Sequence, residues 1–290
     1  MYAVRRTQAL TGATGLIEVV APHVARSARA GQFVIVIAGE HGERIPLTIA
    51  DHDRDRGTIT LVVQAVGKST EEMLTLEAGD AFTSVAGPLG HPTKLARHGT
   101  VVCVAGGVGV APIYPIARDL KAVGNHVVSV LGARRADLLF WQDRMARVCD
   151  EVVVCTDDGS AGRRGLVTDP LVERLQRMSD AGEPMPHVWA IGPTIMMRAV
   201  SRATEPFGAP TTVSLNTIMV DGTGMCGGCR VSVSDGAKFV CVDGPEFDGH
   251  DVDWDNLLGR ITYYRPEERE ALEAAHARHT GCVRETVALR

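Results

Sequence analysis

The chain has 290 residues, a net charge of −5, 45% hydrophobic and 22% charged residues. That is too long for one small core and too acidic for a nucleic-acid footprint. Its first 30 residues lack the basic start, apolar core and small-residue cleavage site of an export signal, which points to a cytoplasmic protein. Seven cysteines is an odd number, and Cys226, Cys229 and Cys241 crowd into one short segment. In a reducing compartment such crowding favours metal or iron–sulfur binding over disulfides.

Residues 1–95 alternate short β-rich runs with Gly, Asp and His turns: "GLIEVVAP", "QFVIVIAG", "RIPLTIAD", "GTITLVVQAVG" and "DAFTSVAGPLG". This spacing predicts a small antiparallel barrel. Within it "VGKST", Val66 to Thr70, looks like the tail of a phosphate-binding P-loop. The glycine that motif requires five positions before its Gly-Lys is Val62 here, so an ATPase is excluded. The turn of Gly67, Lys68, Ser69 and Thr70 can still offer backbone N–H groups to another phosphate, or Lys68 can simply be a solvated turn lysine. Arg44 alone reads as a surface residue, but Pro46 and Thr48 give it a rigid extended frame.

Residues 96–210 change texture. Apolar strands "TVVCVAGG", "HVVSVLGA", "EVVVCTDD" and "HVWAIGP" alternate with helical stretches, the pattern of a parallel α/β sheet. The apolar window from Thr100 to Ala117 approaches the length of a membrane span, but its glycines and two prolines break a spanning helix, so no membrane is expected. In "AGGVGVAP" Gly106, Gly107 and Gly109 end a strand and allow a dinucleotide phosphate to approach a helix N-terminus. A tight turn in any α/β protein reads the same way. Pro112 is expected at the first helical position. Cys103, Cys149 and Cys155 lie in or beside apolar stretches and read as core.

Residues 211–290 carry "MVDGTGMCGGCR", Met219 to Arg230, and then "RPEEREALEAAHAR", a helix with Pro266 near its first turn. The spacing C-x2-C-x11-C over Cys226, Cys229 and Cys241 lets a glycine-permitted loop grip a metal centre. Asp221 is a fourth donor or a turn-forming Asp-Gly with Cys282 or water completing the site. Structural zinc on one Asp and three Cys is the alternative to iron.

Together "RIPLTIAD", "VGKST", "GPLG", "GGVGVAP", "DDGSAGRRGLVTD", "AIGPTIMMRAV" and "SLNTIMVDGTGMCGGC" resemble, in this order, the ferredoxin reductase superfamily. The pattern is similar to the electron-transfer subunits of dihydroorotate dehydrogenase B, and more so to the small subunits of NADH-dependent ferredoxin:NADP oxidoreductases, also known as sulfide dehydrogenase subunits. The resemblance spans roughly residues 1–262. It implies a flavin-binding barrel at 1–95, a nucleotide-binding α/β domain at 96–210 and a 2Fe-2S segment with a C-terminal helix at 211–290.

By the same resemblance FAD is held by Arg44, Pro46, Leu47 and Thr48, with phosphate contacts from Gly67, Lys68, Ser69 and Thr70. Gly106, Gly107 and Gly109 place a nicotinamide against the flavin, while Asp157, Asp158, Gly159, Gly192 and Pro193 line the groove for NAD(H), with NADP(H) the alternative. Asp221, Cys226, Cys229 and Cys241 hold the cluster; in the dihydroorotate dehydrogenase subunits the position of Asp221 carries a cysteine. The cofactors do the electron chemistry, so no side chain is assigned as a general base. The resemblance implies a larger flavin and iron–sulfur partner subunit, with ferredoxin reached through the complex. A dihydroorotate dehydrogenase subunit and a noncatalytic, zinc-stabilised binding subunit are the competing readings.

Overall fold

The computed structural model describes residues 1–39 and 42–288, with side chains through Ala277. Seven antiparallel strands come first: β1 (Tyr2–Thr11), β2 (Thr14–Val20), β3 (Phe33–Ile37), β4 (Ile45–Asp53), β5 (Thr58–Gln64), β6 (Ala81–Phe82) and β7 (Ser84–Leu89). Their order in the sheet is β6-β1-β2-β5-β4-β3-β7. The two edge strands are consecutive in sequence with only Thr83 between them, and the Thr83 amide donates to the Ile37 carbonyl at 2.9 Å. The chain thus carries one edge to the other, and the sheet curls into a nearly closed barrel. Ile17, Ile49, Ile59, Leu61 and Phe82 fill it, all at most 2% exposed. Burying such β-branched and aromatic side chains is the barrel's main stabilisation, about 1.5–3 kcal/mol for each one. Helices α1 (Pro22–Ser27) and α2 (Lys68–Leu74) cover it, the second through fully buried Met73.

The second sheet contains β8 (Thr100–Gly106), β9 (His126–Ala133), β10 (Glu151–Thr156), the short β11 (Arg163–Arg164), β12 (His187–Ile191) and β13 (Thr211–Ser214). These strands are all parallel, in the order β11-β10-β9-β8-β12-β13. Their near-continuous apolar runs are explained by cover on both faces. Helix α3 (Val110–Ala122) packs on one face through Ile113, Ile116 and Leu120, with α4 (Gln142–Ala146) beside it through Met145. Helices α5 (Thr168–Asp180) and α6 (Thr194–Thr204) pack on the other through Leu171, Leu175, Met197 and Val200. The strand order reverses between β8 and β12, and the crevice beyond the carboxyl ends of those two strands is where α/β sheets bind ligands.

The last segment forms a hairpin of β14 (Arg230–Val233) and β15 (Gly236–Phe239), then α7 (Val240–Asp243), β16 (Glu246–Asp248), α8 (Trp254–Arg260) and α9 (Arg265–Ala288). Strand β16 adds to the second sheet antiparallel to β13, pairing Ser214 with Glu246. Cys229, Val231, Val240, Cys241 and Trp254 share one apolar core with the parallel sheet. The cysteine segment is therefore fixed to the sheet and does not hang from it as a tail. No helix among the described residues is long and apolar enough to cross a membrane.

Candidate functional site

A cleft opens at the switch point, lined by Pro46, Leu47 and Thr48 from the barrel and by Gly109 and Gly192 from the sheet. The glycines permit close approach. A Cβ on Gly109 would lie 2.1 Å from the Ile191 carbonyl oxygen, and one on Gly106 would lie 2.4 Å from the Met196 sulfur. Gly107 has φ +54° and faces open space, so its backbone is presented outward. Residues 107–109 form a 3₁₀ turn and α3 begins at Val110, so Pro112 is the third helical residue and not the first. The glycine turn starts the helix early, and proline is still tolerated there because the N–H it lacks belongs to the unpaired first turn. Ser214, Leu215, Asn216 and Met219 also line the cleft. Sequence reasoning passed over them as site residues, although they fall in the "SLNTIM" stretch that precedes the cysteines.

The "VGKST" turn opens α2. Thr70 Oγ1 accepts from the Val66 and Gly67 amides at 3.0 and 3.1 Å and donates to the Gly67 carbonyl at 2.9 Å. Ser69 Oγ donates to the Glu43 carboxylate. Two amides of the turn are thus satisfied internally. Arg44 reaches across to the cysteine loop, donating Nε to the Val220 carbonyl and Nη2 to that of Asp221 at 3.5 Å.

Asp157 and Asp158 directly follow β10, both exposed. Asp158 accepts from Ser160 N at 2.9 Å and Ser160 Oγ at 2.6 Å, and these bonds hold its carboxyl below its usual range. Ser160 Oγ in turn accepts from the Ala136 amide at 2.8 Å, tying this loop to the one after β9. Gly159 has φ +79°, which a side chain would resist. Arg163 forms a double hydrogen bond with Glu173 at 2.5 Å, and Arg135 pairs with Asp137 at 2.8 Å. Pro193 precedes α6 directly.

Two of the donors of the cysteine loop touch each other. Cys229 Sγ lies 3.2 Å from Cys241 Sγ, and both residues are 1% exposed. Burial, then the adjoining Cys229 sulfur, pushes the Cys241 thiol up to about 12. Asp221 accepts from Thr223 N at 2.9 Å and from Cys226 N at 2.8 Å, and the first of these bonds does most to keep it ionised. The Cys241 and Gly228 amides point at sulfurs, at 3.4 Å to Cys229 and 3.5 Å to Cys226. Among the described residues no three His, Cys, Asp or Glu side chains gather tightly enough for a single ion. With only Cys229 and Cys241 in sulfur contact and the four donors not gathered round one point, the set fits a two-iron group, which spreads its ligands over two metals, better than mononuclear zinc, which takes all four on one. The Cys282 side chain lies outside the described residues.

This loop touches the barrel. Gly222, at φ +76°, sits so close to β3 and β7 that an added Cβ would be 2.6 Å from Ile35 and 2.8 Å from Leu89. Cys103 and Cys155 are buried and Cys149 is half-buried, as core packing requires.

Comparison with known proteins agrees with this geometry. The iron–sulfur cluster binding domain of dihydroorotate dehydrogenase B matches residues 216–253, and the oxidoreductase NAD-binding domain matches residues 103–202. The chain is 49% identical over 253 residues, 87% of each chain, to an electron transfer subunit homolog of dihydroorotate dehydrogenase B (NAD(+)) from Thermotoga maritima. It is 43% identical to an uncharacterised protein of the adh 3′ region in Clostridium beijerinckii, over 97% of this chain and 98% of that one. Among solved structures, one of the NADH-dependent reduced ferredoxin-NADP oxidoreductase, from work on flavin-based electron bifurcation, matches with 44% identity and a TM-score of 0.88. That match covers 94% of this chain and 97% of the other.

Proposed function

Since this chain belongs to the family of dihydroorotate dehydrogenase B electron-transfer subunits and their homologues, we propose that it draws electrons from NADH at a flavin in the cleft and delivers them through a 2Fe-2S centre to a partner subunit. One juxtaposition carries the reading. The glycine turn of the NAD-binding sheet, Thr48 of the barrel and the cysteine loop packed on Ile35 and Leu89 lie in one continuous assembly.

FAD accepts a hydride and releases its electrons singly, and a 2Fe-2S cluster carries one at a time. The residues supply the rest. Pro46, Leu47 and Thr48 form the barrel wall that would hold the flavin ring, and Arg44, Lys68 and Ser69 would supply its phosphate contacts. Gly109 and Gly192 would let a nicotinamide approach that wall, and Asp157 with Asp158 would meet the nucleotide ribose. Asp221, Cys226, Cys229 and Cys241 would hold the cluster, which would supply one-electron transfer.

The partner is a larger flavin and iron–sulfur subunit of the ferredoxin:NADP oxidoreductase type, through which ferredoxin is reached. The aspartate at position 221 favours that assignment over a dihydroorotate dehydrogenase, in whose subunits a cysteine stands there. The test is anaerobic purification with flavin and metal analysis, then NADH titration followed by absorbance and electron paramagnetic resonance. One FAD, two irons and a reducible cluster are expected; a colourless or zinc-only protein would sink the assignment.

A further inference from the structure

The barrel and the parallel sheet are joined by an ionic knot outside the cleft and the cysteine loop. Asp51, on β4, accepts Arg118 Nη1 on Oδ1 and Arg144 Nη2 on Oδ2, each at 2.9 Å. Arg118 lies on α3 and also binds neighbouring Asp119 at 2.9 Å. Arg144 lies on α4, its guanidinium carbon 4.5 Å from the ring centre of Tyr114 and 4.3 Å from that of Trp141. Trp141 has φ +60°, a left-handed conformation a bulky residue resists, and edge contacts to Tyr114 and Phe140 keep it there. Ala50 and Val62 of the barrel pack into the same core as Val110, Ala111 and Ile113 of α3. Apolar faces resist separation but can slide, whereas a carboxylate shared by two guanidinium groups fixes direction.

The knot stands close to both walls of the cleft. Asp51 is three residues beyond Thr48 on one strand, about 10 Å along it. Arg118 is nine residues beyond Gly109, about 13 Å along α3. We propose that Asp51 is a positioning residue that sets the gap across the cleft by locking α3 and α4 to β4. The proposal rests on the reading of the cleft given above. The step it serves breaks the C4–H bond of NADH and moves that hydride, with its two electrons, to the flavin ring nitrogen, leaving NAD⁺. Such a transfer falls steeply when the reacting atoms are misplaced by even about 1 Å.

The test uses the full chain loaded with FAD and anaerobic stopped-flow reduction by NADH. Asp51→Asn keeps the side-chain size and weakens both ion pairs. Its limiting reduction rate is expected to fall about tenfold or more, with half-saturating NADH within about threefold of wild type, unchanged FAD content and an undiminished isotope effect from 4-deuterated NADH. Arg144→Gln, which removes one arm and its stacking, should give a smaller fall of the same kind. Rates within about twofold of wild type in both variants overturn the proposal. So does a fall matched by lost FAD or lost NADH affinity, because the residue then serves folding or binding. Failure of the underlying reading is separately visible: the wild type itself would carry no flavin or resist NADH.

Discussion

Cys229 and Cys241 bring their sulfurs within 3.2 Å across eleven intervening residues, held by the hairpin of β14 and β15 between them. Asp221 is fixed beside Cys226 by accepting a 2.8 Å bond from that residue's backbone amide. The ligand set is testable by substitution. Asp221→Ala is expected to lose or destabilise the cluster, whereas Cys282→Ser leaves its spectrum unchanged; the reverse would reassign the fourth ligand. Because a carboxylate is a harder donor than a thiolate, Asp221→Cys, if it retains the cluster, should shift the potential read by redox titration.

Gly109 has an ordinary helical φ of −60°, so its requirement is one of space and not of conformation. Gly109→Ala would drive a methyl to 2.1 Å from the Ile191 carbonyl, a backbone atom that cannot rotate away. A stability loss of about 1–3 kcal/mol is expected, with flavin reduction by NADH slowed at least about tenfold as the turn shifts. At Gly107, where a methyl meets open space, alanine should cost only about 1–2 kcal/mol for its left-handed φ. A Gly109→Ala variant that melts and reduces its flavin as wild type does would contradict the requirement for space.

Glu246 is half-buried where β16 joins the sheet, and its carboxylate accepts Thr93 Oγ1 at 2.6 Å. Burial raises its pKa against the opposing pull of that hydroxyl. A folded-state pKa above the unfolded value of 4.5 means that the folded form keeps its proton longer, so this group's stabilisation is lost as pH rises through the folded pKa. Glu246→Gln copies the protonated form and keeps an acceptor for Thr93. It should be neutral or stabilising by about 0.5–1 kcal/mol at pH 8 and closer to neutral at pH 4. Urea midpoints at the two pH values decide; clear destabilisation at pH 8 would refute the assignment of the charge as the burden.

His187 titrates in the opposite sense. Burial, then the positive field of His98, lowers its pKa from 6.5 to about 4. It stacks on Trp189 with ring centres 4.0 Å apart and bonds Thr212 Oγ1 at 2.8 Å. The unfolded chain therefore binds the extra proton between pH 6.5 and 4, and stability falls as pH drops through that window. The loss would be roughly 3 kcal/mol at full burial, and about half that for a partly exposed ring. His187→Gln should flatten this acid limb in urea titrations between pH 7 and 4.5.

The residues that carried the fold into view were the apolar strands and the glycines, because each has a local reason to be what it is. Strands β2 to β5 and β8 to β12, apart from short β11, alternate or run apolar according to how they are buried. Strand β1 escaped notice because its exposed face carries Arg5, Arg6 and Gln8, so no hydrophobic period survives. Strands β13 to β16 are three or four residues each, too short for any period to register. The candidate donors at 221, 226, 229 and 241 come from spacing and family pattern. The approach of Cys229 to Cys241 could not be read there, since it depends on a hairpin folding back. Asp51 and Glu246 were invisible for the same reason: their partners stand 67 and 153 residues away.

The groove also predicts which nucleotide is preferred. Asp157 and Asp158 end the third strand of the parallel sheet, where a ribose would lie. A carboxylate accepts a hydrogen bond from a free 2′-hydroxyl and repels a 2′-phosphate. Four arginines could have reversed that preference, but Arg163 is engaged by Glu173 and Arg135 by Asp137. Asp158 is held by Ser160, and the Asp157 amide bonds the Ala133 carbonyl at 3.1 Å, leaving the Asp157 side chain exposed at the rim. Arg134 and Arg164 remain exposed nearby as the phosphate's best prospects. NADH should therefore reduce the flavin faster than NADPH at matched concentrations. Asp157→Ser should narrow the gap chiefly by lowering the NADPH concentration needed for half-saturation, by about 3- to 10-fold for one removed charge near the surface. Stopped-flow reduction with each nucleotide, before and after the substitution, measures both quantities. Faster reduction of the wild type by NADPH would show that Arg134 or Arg164 governs the site, and that the acidic pair does not.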